Sequence, residues 1–176
     1  MKFYGLFFGG LLFLFSCEDD KKMRNIKPYK GAMIESSFIS TFYSDSAKLK
    51  MRIKADKQYQ FQNGDLEYPQ GVDIVFFNAQ KKESSHLTAQ KGFFDKAKNI
   101  YTATGKVVVT DLIEQKVLRT EVLHWSPNQY KIYTDKFVVI QSGPNIIKGE
   151  GFTANQDFKY YKILKPTGSG IIKKKK

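Results

Sequence analysis

From Phe38 to about Ile163 the chain alternates short apolar runs with polar residues, and no apolar stripe of helical period follows its N-terminal segment. Val72, Ile74 and Phe76 share one parity, as do Val107 and Val109, and Phe137 and Val139. Side chains alternate across a strand with period two, so this pattern predicts strands whose inner face carries these residues. The opposite parity is partly apolar too, through Val75, Phe77, Val108 and Val138. Strands of that kind suit two sheets packed face to face, or one sheet rolled over on itself. Turn chemistry punctuates the runs at Asn63-Gly64-Asp65, Pro69-Gln70-Gly71, Thr104-Gly105, Ser126-Pro127-Asn128 and Ser142-Gly143-Pro144-Asn145. Such short spacing predicts antiparallel neighbours, because a parallel return needs a crossover of about a dozen residues. The second fold in view is a parallel β-helix, whose coils also repeat every few tens of residues.

The runs recur as a unit. Large apolar, any residue, small, then polar or acidic is met at Ile53-Lys54-Ala55-Asp56, Leu87-Thr88-Ala89-Gln90, Leu118-Arg119-Thr120-Glu121 and Ile147-Lys148-Gly149-Glu150. The steps between copies are 34, 31 and 29 residues. A closing apolar run follows the first three copies, at Val72–Phe77, Val107–Val109 and Phe137–Ile140, and the fourth copy fades. Repeats of this length imply one supersecondary unit stacked on its neighbours around a shared core.

The N-terminus changes the picture. Residues 1–16 give a short basic start and an apolar run from Phe3 to Phe15, too short for a helix that crosses a bilayer, which needs about 20 residues, but suited to a signal segment. The run ends at Leu14-Phe15-Ser16-Cys17, which resembles the lipobox of bacterial lipoproteins and implies that Cys17 is lipidated. Residues 17–37, polar and without periodicity, are expected to tether a β domain at 38–165, and 166–176 form a basic tail ending in Lys173–Lys176. The net charge is +12, which suits an anionic partner such as acidic lipid, acidic glycolipid or nucleic acid.

Catalytic chemistry finds no foothold. His86 and His124 have no cysteine partner, since Cys17 is the chain's single cysteine, and no ligand set for zinc is spaced along the chain. Glu121, Asp135 and Glu150 recur once per unit, as turn or edge residues do. Gly149-Glu150-Gly151-Phe152-Thr153-Ala154 matches a dinucleotide fingerprint in letters only, because no helical pattern follows it; its glycines suit a close strand approach or a bulge. The lysines are scattered rather than gathered on an aromatic platform, which argues against nucleic acid. The expectation is a non-enzyme without metal or cofactor.

Taken in order, Leu87–Asp95, Ala103–Val109, Leu118–Glu121, Leu123-His124-Trp125, Ile132–Asp135, Phe137–Ile140 and Ile147–Phe152 resemble the LptC family and the wider OstA-like domain shared with LptA. The resemblance implies a twisted, open, antiparallel β-jelly roll around an apolar groove. It also implies a membrane-anchored periplasmic link that receives lipopolysaccharide from an inner-membrane ABC transporter and passes it to an LptA-like protein. In that family the N-terminal edge strand meets the transporter's β-domains and the C-terminal edge meets LptA. These edges are expected near Phe38–Tyr43 and within Ile147–Ile163, and the inner membrane is the preferred site of the anchor. The groove residues expected are Val72, Ile74, Phe76, Leu87, Ala89, Val107, Val109, Leu118, Thr120, Phe137, Val139 and Ile147. Family members often begin with a transmembrane helix, where this chain has the short signal and Cys17. The alternatives are an LptA-like shuttle and a structural or adhesive surface lipoprotein.

Overall fold

In a computed structural model of the chain, residues 29–155, 158 and 160–167 are described. The expected signal segment, Cys17 and the basic tail at Lys173–Lys176 lie outside them. Eleven strands follow in order: β1 (Ile34–Asp45), β2 (Lys48–Gln60), β3 (Leu66–Tyr68), β4 (Val72–Phe77), β5 (Glu83–Ala89), β6 (Lys91–Asp95), β7 (Ile100–Asp111), β8 (Lys116–Ser126), β9 (Lys131–Ser142), β10 (Asn145–Asn155) and β11 (Tyr161–Thr167). A 3-10 turn at Pro127–Gln129 joins β8 to β9. Residues 34–37, expected in the tether, already belong to β1, which pairs with β2 from Ile34 onward.

Every pairing among the described residues is antiparallel, which rules out the parallel β-helix. Chain neighbours are also sheet neighbours. β3 and β4 act as one bent strand beside β2, through Tyr59↔Glu67 and Ile53↔Ile74. β5 and β6 act as a second bent strand against β7, through Leu87↔Val109 and Phe93↔Thr102. The molecule is therefore one meander of long strands, and each sequence repeat is one hairpin of two of them.

All these strands change course along a single line. The register slips between Thr104 and Val107 in β7, between Thr120 and His124 in β8, and between Glu150 and Phe152 in β10. The break between β3 and β4 contains Gly71 (φ 97°), and Gly105 (82°), Lys106 (47°) and Gly151 (73°) sit on the same line. Bulges bend and twist a strand. Aligned across neighbours, they crease the sheet and lay its two halves face to face. On the inside of the crease stand the small residues of the repeat, with Ala55 and Thr120 buried, and on its outside stand the polar ones, Asp56, Gln90, Glu121 and Glu150, all exposed. The recurring acids are thus furniture of the bend.

One apolar core fills the fold. Met51, Ile53, Val72, Ile74, Phe76, Leu87, Val107, Val109, Leu118, Val138 and Ile140 come from one half, and Ala103, Leu123, Trp125, Ile132, Phe152 and Ala154 from the other. Burying each large aliphatic side chain stabilises the fold by about 1.5–3 kcal/mol. The fingerprint-like segment at Gly149 lies in β10, a strand. A Cβ on Gly149 would strike the backbone of Lys165 and Pro166, so glycine is what lets β11 close up there.

Candidate functional site

The two halves meet along an apolar cleft. Met51, Ile53, Val72, Ile74, Phe76 and Leu87 form one wall, and Tyr101, Ala103, Leu123, Trp125 and Ile132 the other. Tyr68 and Gly92 close it near the crease. Only about 30 Å³ of free space remains inside. Opposite the crease, where the hairpin tips of the halves diverge, a cavity of about 550 Å³ opens outward. Its rim carries Lys48, Lys50, Asn78, Gln80 and Tyr130, together with the acids Asp111 and Glu114. Lys48 and Lys50 have no ion-pair partner among the described residues.

Aromatic rings span the cleft. Trp125 meets Phe76 edge to face at 6.2 Å and Tyr43 at 5.5 Å, and it leans on Tyr101 at 5.0 Å. Phe94 stacks on Tyr101 at 4.3 Å. The polar tips in this cluster stay neutral. Burial pushes the Tyr68 phenol up to about 12. Tyr101 is raised by burial first, then by Tyr68 and Tyr43, and Tyr43 by burial first, then by Asp45 and Tyr130. The lining includes Thr102 and His124 but no acid, lysine or arginine, which suits a saturated hydrocarbon better than a charged solute.

The residues expected inside from the alternation separate into groups. Val72, Ile74, Phe76 and Leu87 line the cleft. Val109 and Leu118 line a smaller apolar gap with Ile140, Phe152, Phe158 and Tyr161. Val107 is fully buried, and Ala89 is half-buried near the crease. Thr120 is buried with its hydroxyl donating to the Phe137 carbonyl (2.9 Å), tying down the bulge. Ile147 pairs with buried Ile140 and so faces inward, but it is exposed near the β9–β10 tip.

Phe137 and Val139 require a correction. Both lie on the outer face, opposite exposed Glu150 and Lys148, while Val138 and Ile140 point inward. All four residues of the run are apolar, so the run does not fix its own parity. Ile132 and Thr134, earlier in β9, do: both are buried, and they share the even parity of Val138 and Ile140. The opposing wall at Tyr101, Leu123, Trp125 and Ile132 was missed altogether. Leu123 and Trp125 have the opposite parity to Leu118 and Thr120 in the same strand, because the crease falls between them.

The histidines do no evident chemistry. His86 lies 3.0 Å from Asp73, with both side chains well exposed. His124 Nδ1 is 3.0 Å from the Thr102 hydroxyl, and its ring leans on Tyr133. Burial holds its pKa below the ordinary 6.5; Asp135 opposes that effect and Lys136 adds to it. No cluster of three metal-ligating side chains exists among the described residues, and no helix among them is long and apolar enough to cross a membrane.

The family described as lipopolysaccharide-assembly, LptC-related, matches residues 6–167. The chain belongs to this LptC-related family. Its role is in lipopolysaccharide transport, a transfer without covalent catalysis, and its place is the periplasm. No curated protein matches the chain. Among solved structures, LptH of Pseudomonas aeruginosa, described as the LptA homologous periplasmic component of the conserved lipopolysaccharide transport device, is 16% identical. That match covers 68% of this chain and 85% of the other with a TM-score of 0.49, a likeness too distant to bear on function.

Proposed function

We propose that this LptC-related protein is a tethered link of the lipopolysaccharide bridge, and that its creased sheet is a groove for acyl chains. Lipopolysaccharide arrives from the inner-membrane ABC transporter at the β1 edge and leaves to an LptA-like protein at the β11 edge. Cys17 carries the lipid anchor, with the inner membrane as its preferred site. The observation that carries the reading is the apolar cleft between the halves, with a separate open cavity in front of it whose rim carries Lys48 and Lys50. A chain of about a dozen methylenes gains roughly 10 kcal/mol on leaving water. That is enough to hold lipid in an aqueous compartment, so movement along the bridge has to be driven from outside.

Both edges invite partners. Among the described residues β1 pairs only with β2, and it exposes Ile34, Phe38 and Phe42. Among the same residues β11 pairs only with β10, and it exposes Leu164. Unpaired strand edges of this kind are templates for strand addition.

The test is photocrosslinking in cells with a probe amino acid at Ile74 or Leu87 inside and at Phe137 or Val139 outside. Lipopolysaccharide adducts are expected at the inner positions. Equal adducts at the outer ones, or none at the inner ones, would overturn the groove.

A further inference from the structure

The interior cleft and the outer cavity are separate spaces, and Phe76 and Trp125 are the two residues that line both. They come from opposite halves and touch edge to face, 6.2 Å apart with rings at 86°. Behind them the free space is about 30 Å³, and in front of them it is about 550 Å³. A cavity holds a water once it offers roughly 10–15 Å³ of such space. The interior therefore admits water but no alkyl chain, whereas the mouth admits one readily.

Trp125 also differs from a purely apolar core residue. Its indole N–H is buried without a hydrogen-bond partner. Leaving a buried donor unpaired is unfavourable, and a swing toward the polar mouth would restore a partner. The strand end that carries the ring is followed at once by the 3-10 turn at Pro127, which ends in a left-handed Tyr130 (φ 49°) that itself lines the mouth. On the other side the ring meets Tyr43 of the edge strand β1.

We infer that Phe76 and Trp125 form a gate, closed in this structure, that must part before an alkyl chain passes from the mouth into the groove. The inference rests on the groove reading above and adds its regulation: the polar end of a ligand is held at the mouth first, and only a long apolar chain forces the rings apart. Opening exchanges ring contacts for chain contacts and gives the indole N–H access to the polar rim. A chain entering from the β1 side would displace Tyr43 along with Trp125, which links the gate to the edge where a partner is proposed to dock.

Trp125 is the chain's single tryptophan, so its fluorescence reports the gate directly. The experiment titrates the full-length protein with lauric acid, and with butyric acid as a short control, reading calorimetric heat and Trp125 emission with acrylamide quenching together, and follows laurate uptake by stopped flow. Laurate is expected to change emission and quenching with the same midpoint as its heat, while butyrate leaves both optical signals flat. Phe76→Ala, checked for native circular dichroism, is expected to take up laurate about tenfold faster, the factor that one lost ring pair sets. Laurate binding with unchanged Trp125 signals and an unchanged Phe76→Ala rate would overturn the gate and leave the groove standing. No laurate heat in either the parent or Phe76→Ala would overturn both. Heat in Phe76→Ala alone would support the gate.

Discussion

At the residue scale the deciding positions are those whose parity the crease controls. Val138 is fully buried and Val139 is on the outer face, although the two are chemically identical. Val138→Ala is expected to cost about 1.5–3 kcal/mol, through lost burial and the cavity left behind. Val139→Ala should stay within about 0.5 kcal/mol. Urea midpoints compared for the two variants check this, and equal losses would mean that β9 is inverted. His124 gives a second handle. Its folded pKa lies below the unfolded value because burial disfavours the imidazolium. The unfolded chain therefore binds more protons as pH falls through the ordinary histidine range, so this residue's share of stability is present above about pH 6.5 and is lost on acidification. His124→Gln should flatten the fall in urea midpoint between about pH 7.5 and about pH 5 relative to the parent. A fall of the same size in both would remove His124 from the account. What sequence reading could not reach at this scale is the contact of Phe76 with Trp125. They stand far apart in the chain and meet only because the sheet folds over.

At the scale of elements, much was legible. The repeat of 34, 31 and 29 residues is the hairpin itself, and the turn signals fall between strands or, at Pro69–Gly71 and Gly105, on the crease. The crease was not legible as such, because a bulge changes parity without changing composition. β8 runs Leu118, Thr120, then Leu123, Trp125 on one face, which period-two counting reads as an error. The fourth unit looked unfinished because its second strand, β11, reads YKILKPT and carries Pro166 where its predecessors carry valines. That strand nevertheless closes on β10, so among the described residues the C-terminal edge is β11, which begins inside the expected Ile147–Ile163 span and runs on to Thr167. Gly149 is what permits this approach, since a Cβ there would lie 2.8 Å from the Pro166 Cα and strike the Lys165 oxygen. Gly149→Val is expected to free β11 while β2 to β9 stay folded. Hydrogen exchange should then show lost protection at Lys162–Lys165 and kept protection in β7 and β8. If binding to an LptA-like partner uses this edge, the same variant should lose it, and full-strength binding with β11 unprotected would refute the edge assignment.

At the scale of the whole molecule, charge, anchor and edges bear on one another. The net charge of +12 belongs to the whole chain, and no acid, lysine or arginine lines the cleft, so the domain's lysines meet anionic head groups outside the groove. The strands begin at Ile34, only 17 residues after Cys17. Fully extended, a chain of that length reaches at most about 60 Å. An acylated Cys17 would therefore hold the β1 edge near the membrane that bears the lipid, leaving β11 at the far end of the meander for a partner in the periplasm. One acyl chain alone gives only marginal membrane binding, so a stable tether needs more than one chain or help from basic residues. Cys17→Ala is thus expected to move the protein from the membrane fraction to the soluble one after a high-salt wash, with the domain still folded. Restoring a tether by fusing a transmembrane helix ahead of residue 18 should recover lipopolysaccharide crosslinks at Ile74 and Leu87. Retention of the alanine variant in washed membranes would mean that something other than Cys17 holds the protein there. Recovery of crosslinks without any tether would mean that the protein works as a free shuttle.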